Sequence, residues 1–180
     1  MRGIYLASYK AKHENYNIDY QDINGLRDIG GDMLDVDLSP YDFIIATPPC
    51  NYWSRANYRR DKSVYAQKTK HLLPEILKKL TRQDKPFIVE NVRHFKMFLN
   101  AGLFDLPCYV YFIGRHTYWT NVLLPIDGIS QRADHVTQGN YIGSSKNRAD
   151  DAETTREGGW NVKQVIDRWL EVVKEMELWK

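Results

Sequence analysis

Only two cysteines, Cys50 and Cys108, occur in 180 residues. They build no disulfide framework, so the expected compartment is a reducing cytoplasm. No apolar run approaches the roughly 20 residues that a membrane span needs, so no membrane partner is expected. The first residues, MRGIYLASYKAKHENY, are too polar to read as a signal peptide. Internal repeats are absent, and no metal site is assigned. Charge of one sign is missing as well: the net charge of +2 says little about partners. What remains is ordinary for a globular chain, with 43% hydrophobic and 27% charged residues. The length suits one substantial core, so residues 1–180 are read as a single domain. Aromatic side chains make up 13% of the chain, with 12 tyrosines and 5 tryptophans. Such a content suits stacking on bases, although cores and protein interfaces use the same residues.

Strand-like and helix-like segments alternate along the chain. Residues 16–23 (YNIDYQDI) and 41–47 (YDFIIAT) read as strands, and 86–89 (PFIV) as a buried strand ending at Glu90-Asn91. Residues 62–82 read as a helix with Val64, Leu72, Ile76 and Leu80 in its apolar stripe. Pro74 inside it implies a kink or two shorter helices. Residues 93–103 look helical, and 108–124 hold a tyrosine-rich strand pair. Residues 126–160 are polar and glycine-rich, the pattern of a long surface loop or small insertion. From Val162 to Trp179, Val162, Val165, Ile166, Trp169, Leu170 and Val173 share one helical face. The alternation predicts an α/β fold with a largely parallel sheet.

The stretch ATPPCNYWSRAN (46–57) puts Cys50 where a core strand ends and a stiff Pro48-Pro49 turn begins. Glu90 closes the next strand. In a right-handed βαβ unit both residues reach the carboxyl edge of the sheet, where ligands bind. A thiol and a carboxyl then face one substrate from two sides.

PPCNYWS (48–54) resembles the PPCxxFS signature of the C5-cytosine DNA methyltransferases, with Trp53 in place of the usual Phe. Glu90-Asn91-Val92 is similar to their second signature, ENV. Gly31-Asp32-Met33 resembles the acidic segment that precedes the PPC strand, and Arg115 to Asn121 more loosely the arginine-bearing strand after ENV. Gly159-Trp160-Asn161-Val162 before an amphipathic helix is similar to the closing motif. The resemblance implies a Rossmann-like methyltransferase fold and S-adenosylmethionine as the methyl donor. It also implies DNA, or a cytosine nucleotide, as the partner, and it looks like a small, phage-type member acting in the host cytoplasm. Cys50 becomes the nucleophile for cytosine C6, Glu90 the group that protonates N3, and Arg115 the cation that holds O2. Asp22, Asp32, Pro48 and Asn161 become the cofactor contacts. A target base within a duplex would have to be flipped out of the stack to reach the thiol.

Each residue also has a plainer reading. A cysteine at a strand end is more often a small buried hydrophobe, and Pro-Pro is usually just a turn. Glu-Asn-Val at the end of the following strand tilts the balance toward catalysis. Cys108 has no such company and reads as inert. Arg115 could equally be a solvated strand end, and His116 beside it could do the same job. Between residues 55 and 70, six cations meet the single acid Asp61. Ser54, Arg55, Arg59, Arg60 and Lys62 therefore read as nucleic-acid contacts, with tyrosines interleaved. A solvated helix face is the ordinary alternative.

Two departures from the family pattern follow. No FxGxG turn is present at the first strand. Counting back from Asp22, Met1-Arg2-Gly3 falls at the turn, so the first strand would be missing and Ile4 to His13 would form the first helix. The alternative is a short replacement strand over Ile4 to Tyr9 with no helix after it. Either way the fold reads as N-terminally shortened, and a second chain or oligomer could complete the cofactor pocket. The other departure is size, since 126–160 stands where a large specificity domain is usual. Three functions remain. The first is a minimal C5-methyltransferase. The second is a pyrimidine C5-modifying enzyme with another donor or a free-nucleotide substrate. The third is an inactive relative that binds nucleic acid or protein. The missing glycine turn favours the second and third, the intact PPC and ENV pair argues against the third, and the methyltransferase ranks first.

Overall fold

The structure is a computed structural model, and it describes residues 1–8, 12–125 and 162–177. The expected loop over 126–160 and Asn161 lie outside the described residues.

Seven strands form one sheet in the order β3-β2-β1-β4-β5-β7-β6. In chain order they are β1 (Gly3–Leu6), β2 (Ile18–Asp22), β3 (Ile29–Gly30), β4 (Phe43–Ala46), β5 (Phe87–Val92), β6 (Tyr109–Ile113) and β7 (His116–Thr120). The first five in space run parallel, and the β6–β7 hairpin joins antiparallel at β5. This is the α/β, Rossmann-like methyltransferase fold that the alternation implied.

The first strand is present. Ile4, Tyr5 and Leu6 are buried in β1, which pairs with both β2 and β4 near the middle of the sheet. The reading in which Ile4 to His13 form a helix is therefore wrong. The alternative of a short strand is the correct one, and no helix follows it among the described residues up to β2. Gly3 serves packing rather than a cofactor turn. A methyl group there would overlap the Phe43 ring on β4.

Two layers cover the sheet. On one face Ile4, Leu6, Ile44, Ala46, Phe87 and Val89 pack under α2 (Leu72–Leu80) and α3 (Phe95–Asn100), with α1 (Val64–Thr69) preceding α2 in the chain. On the other, Tyr5, Phe43, Ile45 and Ile88 meet α4 (Val162–Glu177). Strict alternation along each central strand divides its side chains between the layers.

Pro74 explains why 62–82 is two helices. Its ring would collide with the carbonyl four residues back, so α1 stops at Thr69. Placed in the first turn of α2, Pro74 withholds an N–H that would have no partner in the helix anyway. Ser63 caps α1 by accepting from the Ala66 amide at 3.3 Å. The expected stripe holds on α2, where Leu72, Leu73, Ile76, Leu77 and Leu80 are buried, but Val64 is exposed. On α4, Val165, Ile166, Trp169, Leu170 and Val173 are buried, and the Trp169 indole donates to Thr120 Oγ1 at 3.0 Å.

Candidate active site

The carboxyl ends of β1, β2, β4 and β5 lie side by side, and the chemistry-bearing residues collect there. Ala46 on β4 is in register with Val89 on β5, so Glu90 falls opposite Thr47, three residues before Cys50. Two hydrogen bonds fix the loop between Thr47 and Cys50. The buried Asn91 amide donates to the Pro48 carbonyl at 2.9 Å, and Thr47 Oγ1 donates to the Ala7 carbonyl at 2.9 Å. Pro48 and Pro49 cannot offer amides of their own, so Asn91 from β5 and the loop's own Thr47 hydroxyl hold this loop. Cys50 is partly exposed and is not in a disulfide.

The chain then turns back. The Ser54 amide donates to the Cys50 carbonyl at 2.8 Å, and Trp53 drops into the core 5.6 Å from Phe98. Trp53 is thus the anchor that sets the end of the cysteine loop. Arg60 ties the next segment down by donating to the Ser54 carbonyl at 2.9 Å and the Asn57 carbonyl at 3.1 Å. Its remaining nitrogen is directed at Met97 Sδ on α3. Of the residues read as nucleic-acid contacts, Arg60 and Ser54 are partly buried in this loop, whereas Arg55, Arg59 and Lys62 are exposed. The Arg59 guanidinium stands 5.4 Å from the exposed Tyr58 ring.

Glu90 sits within β5 rather than at its end, paired with Tyr118 of β7. Its Oε1 is 2.5 Å from His116 Nδ1, a contact that sequence reasoning missed, since it weighed His116 only as an alternative to Arg115 for holding the base oxygen. Arg115 lies exposed in the β6–β7 turn, with its carbonyl accepting from the Arg93 amide at 2.7 Å. Tyr118 and Tyr5 are buried near Glu90. Burial first, and the Glu90 charge in addition, push both phenols above their ordinary range. Cys108 lies away from this edge; burial pushes its thiol up to about 11, so it stays protonated at neutral pH.

Two acids stand at the carboxyl ends of β2 and β3. Asp22 ends β2 and accepts from the Asn24 amide at 2.7 Å, while Asp32 follows β3 and accepts from the Leu34 amide at 2.9 Å. Asp19 is near the amino end of β2 and is engaged by Arg2 at 2.6 Å and by the Tyr41 hydroxyl at 3.0 Å. The segment after Asp32 is pinned by Lys79, which donates to the Leu34 and Val36 carbonyls, and by Lys85, which donates to Leu38 and Ser39.

The end of β1 is different. Ala7 has φ of 49°, the left-handed region that glycine adopts without cost. Its amide donates to Gln21 Oε1 at 2.8 Å, and the Ser8 amide to the Gln21 carbonyl at 2.9 Å. Gln21 Nε2 in turn donates to the Gly31 carbonyl at 2.5 Å. The buried Gln21 thus takes up the amides that a glycine turn would offer to a ligand. The carboxylates Asp22 and Asp32 remain at this edge, whereas the amides that would hold the amino-acid half of S-adenosylmethionine are already taken by Gln21.

The sheet order and its covering helices define an α/β fold of the methyltransferase type. The sequence profile of the C-5 cytosine-specific DNA methylases matches residues 4–105, more than half of the chain, and the chain belongs to that family. The match spans Cys50 and Glu90 and stops short of Arg115 and Asn161. Among curated proteins none matches this sequence.

Proposed function

We propose that the chain is a C5-cytosine DNA methyltransferase in which Cys50 is the nucleophile and Glu90 the proton donor. The observation that supports this best is the hydrogen bond from Asn91 to Pro48, which locks the cysteine loop against the strand carrying Glu90. Cys50 Sγ, as thiolate, forms a bond to C6, and the electrons of the C5–C6 double bond move toward C5 as N3 takes a proton from Glu90. C5 becomes the nucleophile. Once C5 carries its new substituent, a base removes the C5 proton, those electrons re-form the C5–C6 double bond and expel Cys50 Sγ, and N3 returns its proton to Glu90, which restores the ring.

S-adenosylmethionine, the donor normal for the family, supplies a methyl group on a sulfonium. Asp22 and Asp32 are assigned to its ribose and adenine, with Pro48 and Asn161 as further contacts. Arg115 is assigned to the base oxygen O2. Arg55, Arg59 and Lys62 are assigned to phosphates of a DNA strand, beside Tyr58 as a stacking surface. Arg60 and Ser54 support that segment from within.

A second reading has its own observation. With the Ala7 and Ser8 amides already satisfied by Gln21, the amino-acid end of the donor loses its cradle, which favours a different donor or a free nucleotide. Both readings share the attack on C6. Fluorine at C5 blocks the elimination that follows transfer to C5, so 5-fluorocytosine placed in an oligonucleotide or offered as a nucleotide, with S-adenosylmethionine supplied, traps the adduct. A stable mass increase on Cys50 with the oligonucleotide alone supports the first reading, and with the nucleotide alone the second. No adduct with either, with or without S-adenosylmethionine, refutes the nucleophile assignment.

A further inference from the structure

Glu90 has to present one oxygen to a ring nitrogen, and a carboxylate on a flexible two-methylene stem does not hold itself in place. The antiparallel register supplies a holder. Glu90 faces Tyr118 across the β5–β7 ladder, and His116 is the same-face residue two positions earlier on β7. Its Nδ1 is 2.5 Å from Glu90 Oε1, with the carboxyl side chain 13% and the imidazole 33% exposed. The bond is sheltered on the Glu90 side and open to solvent on the histidine side.

We propose that His116 is the positioning residue for Glu90: its Nδ1–H donates to Oε1, fixes the carboxyl rotamer and leaves Oε2 for the pyrimidine N3. The inference rests on the role given to Glu90 above. A neutral imidazole carries one N–H, so donation from Nδ1 selects that tautomer and leaves Nε2 unprotonated. As Glu90 releases a proton to N3 it becomes a carboxylate, and the Nδ1–H bond to a charged acceptor is stronger than to a neutral one. The imidazole therefore favours the state in which the proton has been transferred. Around the pair stand Tyr5 of β1 and Tyr118 of β7, phenols whose protons are retained chiefly through burial. Arg115 adjoins it in the turn, and Arg93 is linked to that turn through its amide.

Two measurements test this. Long-range proton–nitrogen spectra of the imidazoles should show His116 protonated at Nδ1 and bare at Nε2 at neutral pH, reverting to the usual Nε2–H form in Glu90→Ala. A wild-type His116 in the Nε2–H form overturns the proposal. The second measurement is the rate of adduct trapping by 5-fluorocytosine DNA. His116→Ala should lower the rate at saturating DNA by about tenfold to a hundredfold with little change in half-saturation. His116→Asn, whose amide N–H reaches about as far as Nδ1, should recover part of it. Trapping by His116→Ala at the wild-type rate overturns the proposal. Should the wild-type protein trap nothing, the cysteine reading has failed, and the tautomer spectra still decide the role of His116.

Discussion

Exchanging Asn91 for Asp keeps the shape and removes one donor. In the native protein Asn91 Nδ2 donates to the Pro48 carbonyl at 2.9 Å, and Asn91 Oδ1 accepts from the Val92 amide at 3.0 Å. Asn91 is 1% exposed, so no water replaces a lost partner. In Asn91→Asp a carboxylate oxygen would face the Pro48 carbonyl oxygen. Leaving that carbonyl unsatisfied costs about 1–3 kcal/mol, before any repulsion is counted. At roughly 2–4 °C per kcal/mol for a chain of this size, the melting temperature should fall by about 2–12 °C. Because Pro48 is two residues from Cys50, trapping by 5-fluorocytosine DNA should slow as well, at a temperature where the variant is fully folded. Calorimetry gives the first quantity and timed mass spectrometry the second. A variant that melts and traps like the wild type would show that the Asn91–Pro48 bond does not hold the cysteine loop.

Ala7→Gly should stabilise the protein by about 0.5–1 kcal/mol, because it relieves a left-handed residue at φ of 49° while adding some freedom to the unfolded chain; urea unfolding would read the sign. Arg60→Ala should lower stability by about 1–3 kcal/mol, since its guanidinium holds the Ser54 and Asn57 carbonyls. Arg59→Ala with Lys62→Ala should instead leave melting almost unchanged and flatten the salt dependence of DNA binding by about two units. His13 is buried beside Asp167 of α4, and burial holds its protonation below the ordinary histidine range, against the pull of Asp167. The unfolded chain then binds the proton more readily, so stability is full above about pH 6.5 and falls as the pH drops below it. His13→Gln should flatten that acid limb in melting curves.

Much of the fold could be read from apolar runs. Phe43-Ile44-Ile45-Ala46 and Phe87-Ile88-Val89 are buried on both faces and leave no polar face to confuse them with a surface strand. Cys50 and Glu90 were legible because two motifs mark two consecutive strands, and a helical crossover makes those strands neighbours. β1 was ambiguous for a physical reason. Four residues carry too little period to separate a strand from a helix, and it is the pairing with β2 and β4 that fixes it. Ala7 hid the turn, because nothing in an alanine announces a positive φ.

Other contacts depend on register or on distant partners. His116 reaches Glu90 only through the antiparallel pairing of β5 and β7, which no local pattern encodes. Arg60 lies in a run of cations that reads as one solvated surface, yet it turns inward because the loop carbonyls of Ser54 and Asn57 need donors. Lys79 and Lys85 are alike in this respect, tying down carbonyls that lie more than 40 residues earlier in the chain.

Methyl transfer itself is tested most directly by incubating the protein with DNA and S-adenosylmethionine labelled in its methyl group, then digesting the DNA to nucleosides. The account predicts label in 5-methyldeoxycytidine for the wild-type protein and none for Cys50→Ser. With the Ala7 and Ser8 amides taken by Gln21, half-saturation should need donor near the millimolar range. Two or three unmade polar contacts at about 1–3 kcal/mol each move a micromolar site that far, at about 1.4 kcal/mol per tenfold. Label in 5-methyldeoxycytidine from Cys50→Ser as well, or from neither protein at any donor concentration, would contradict the account.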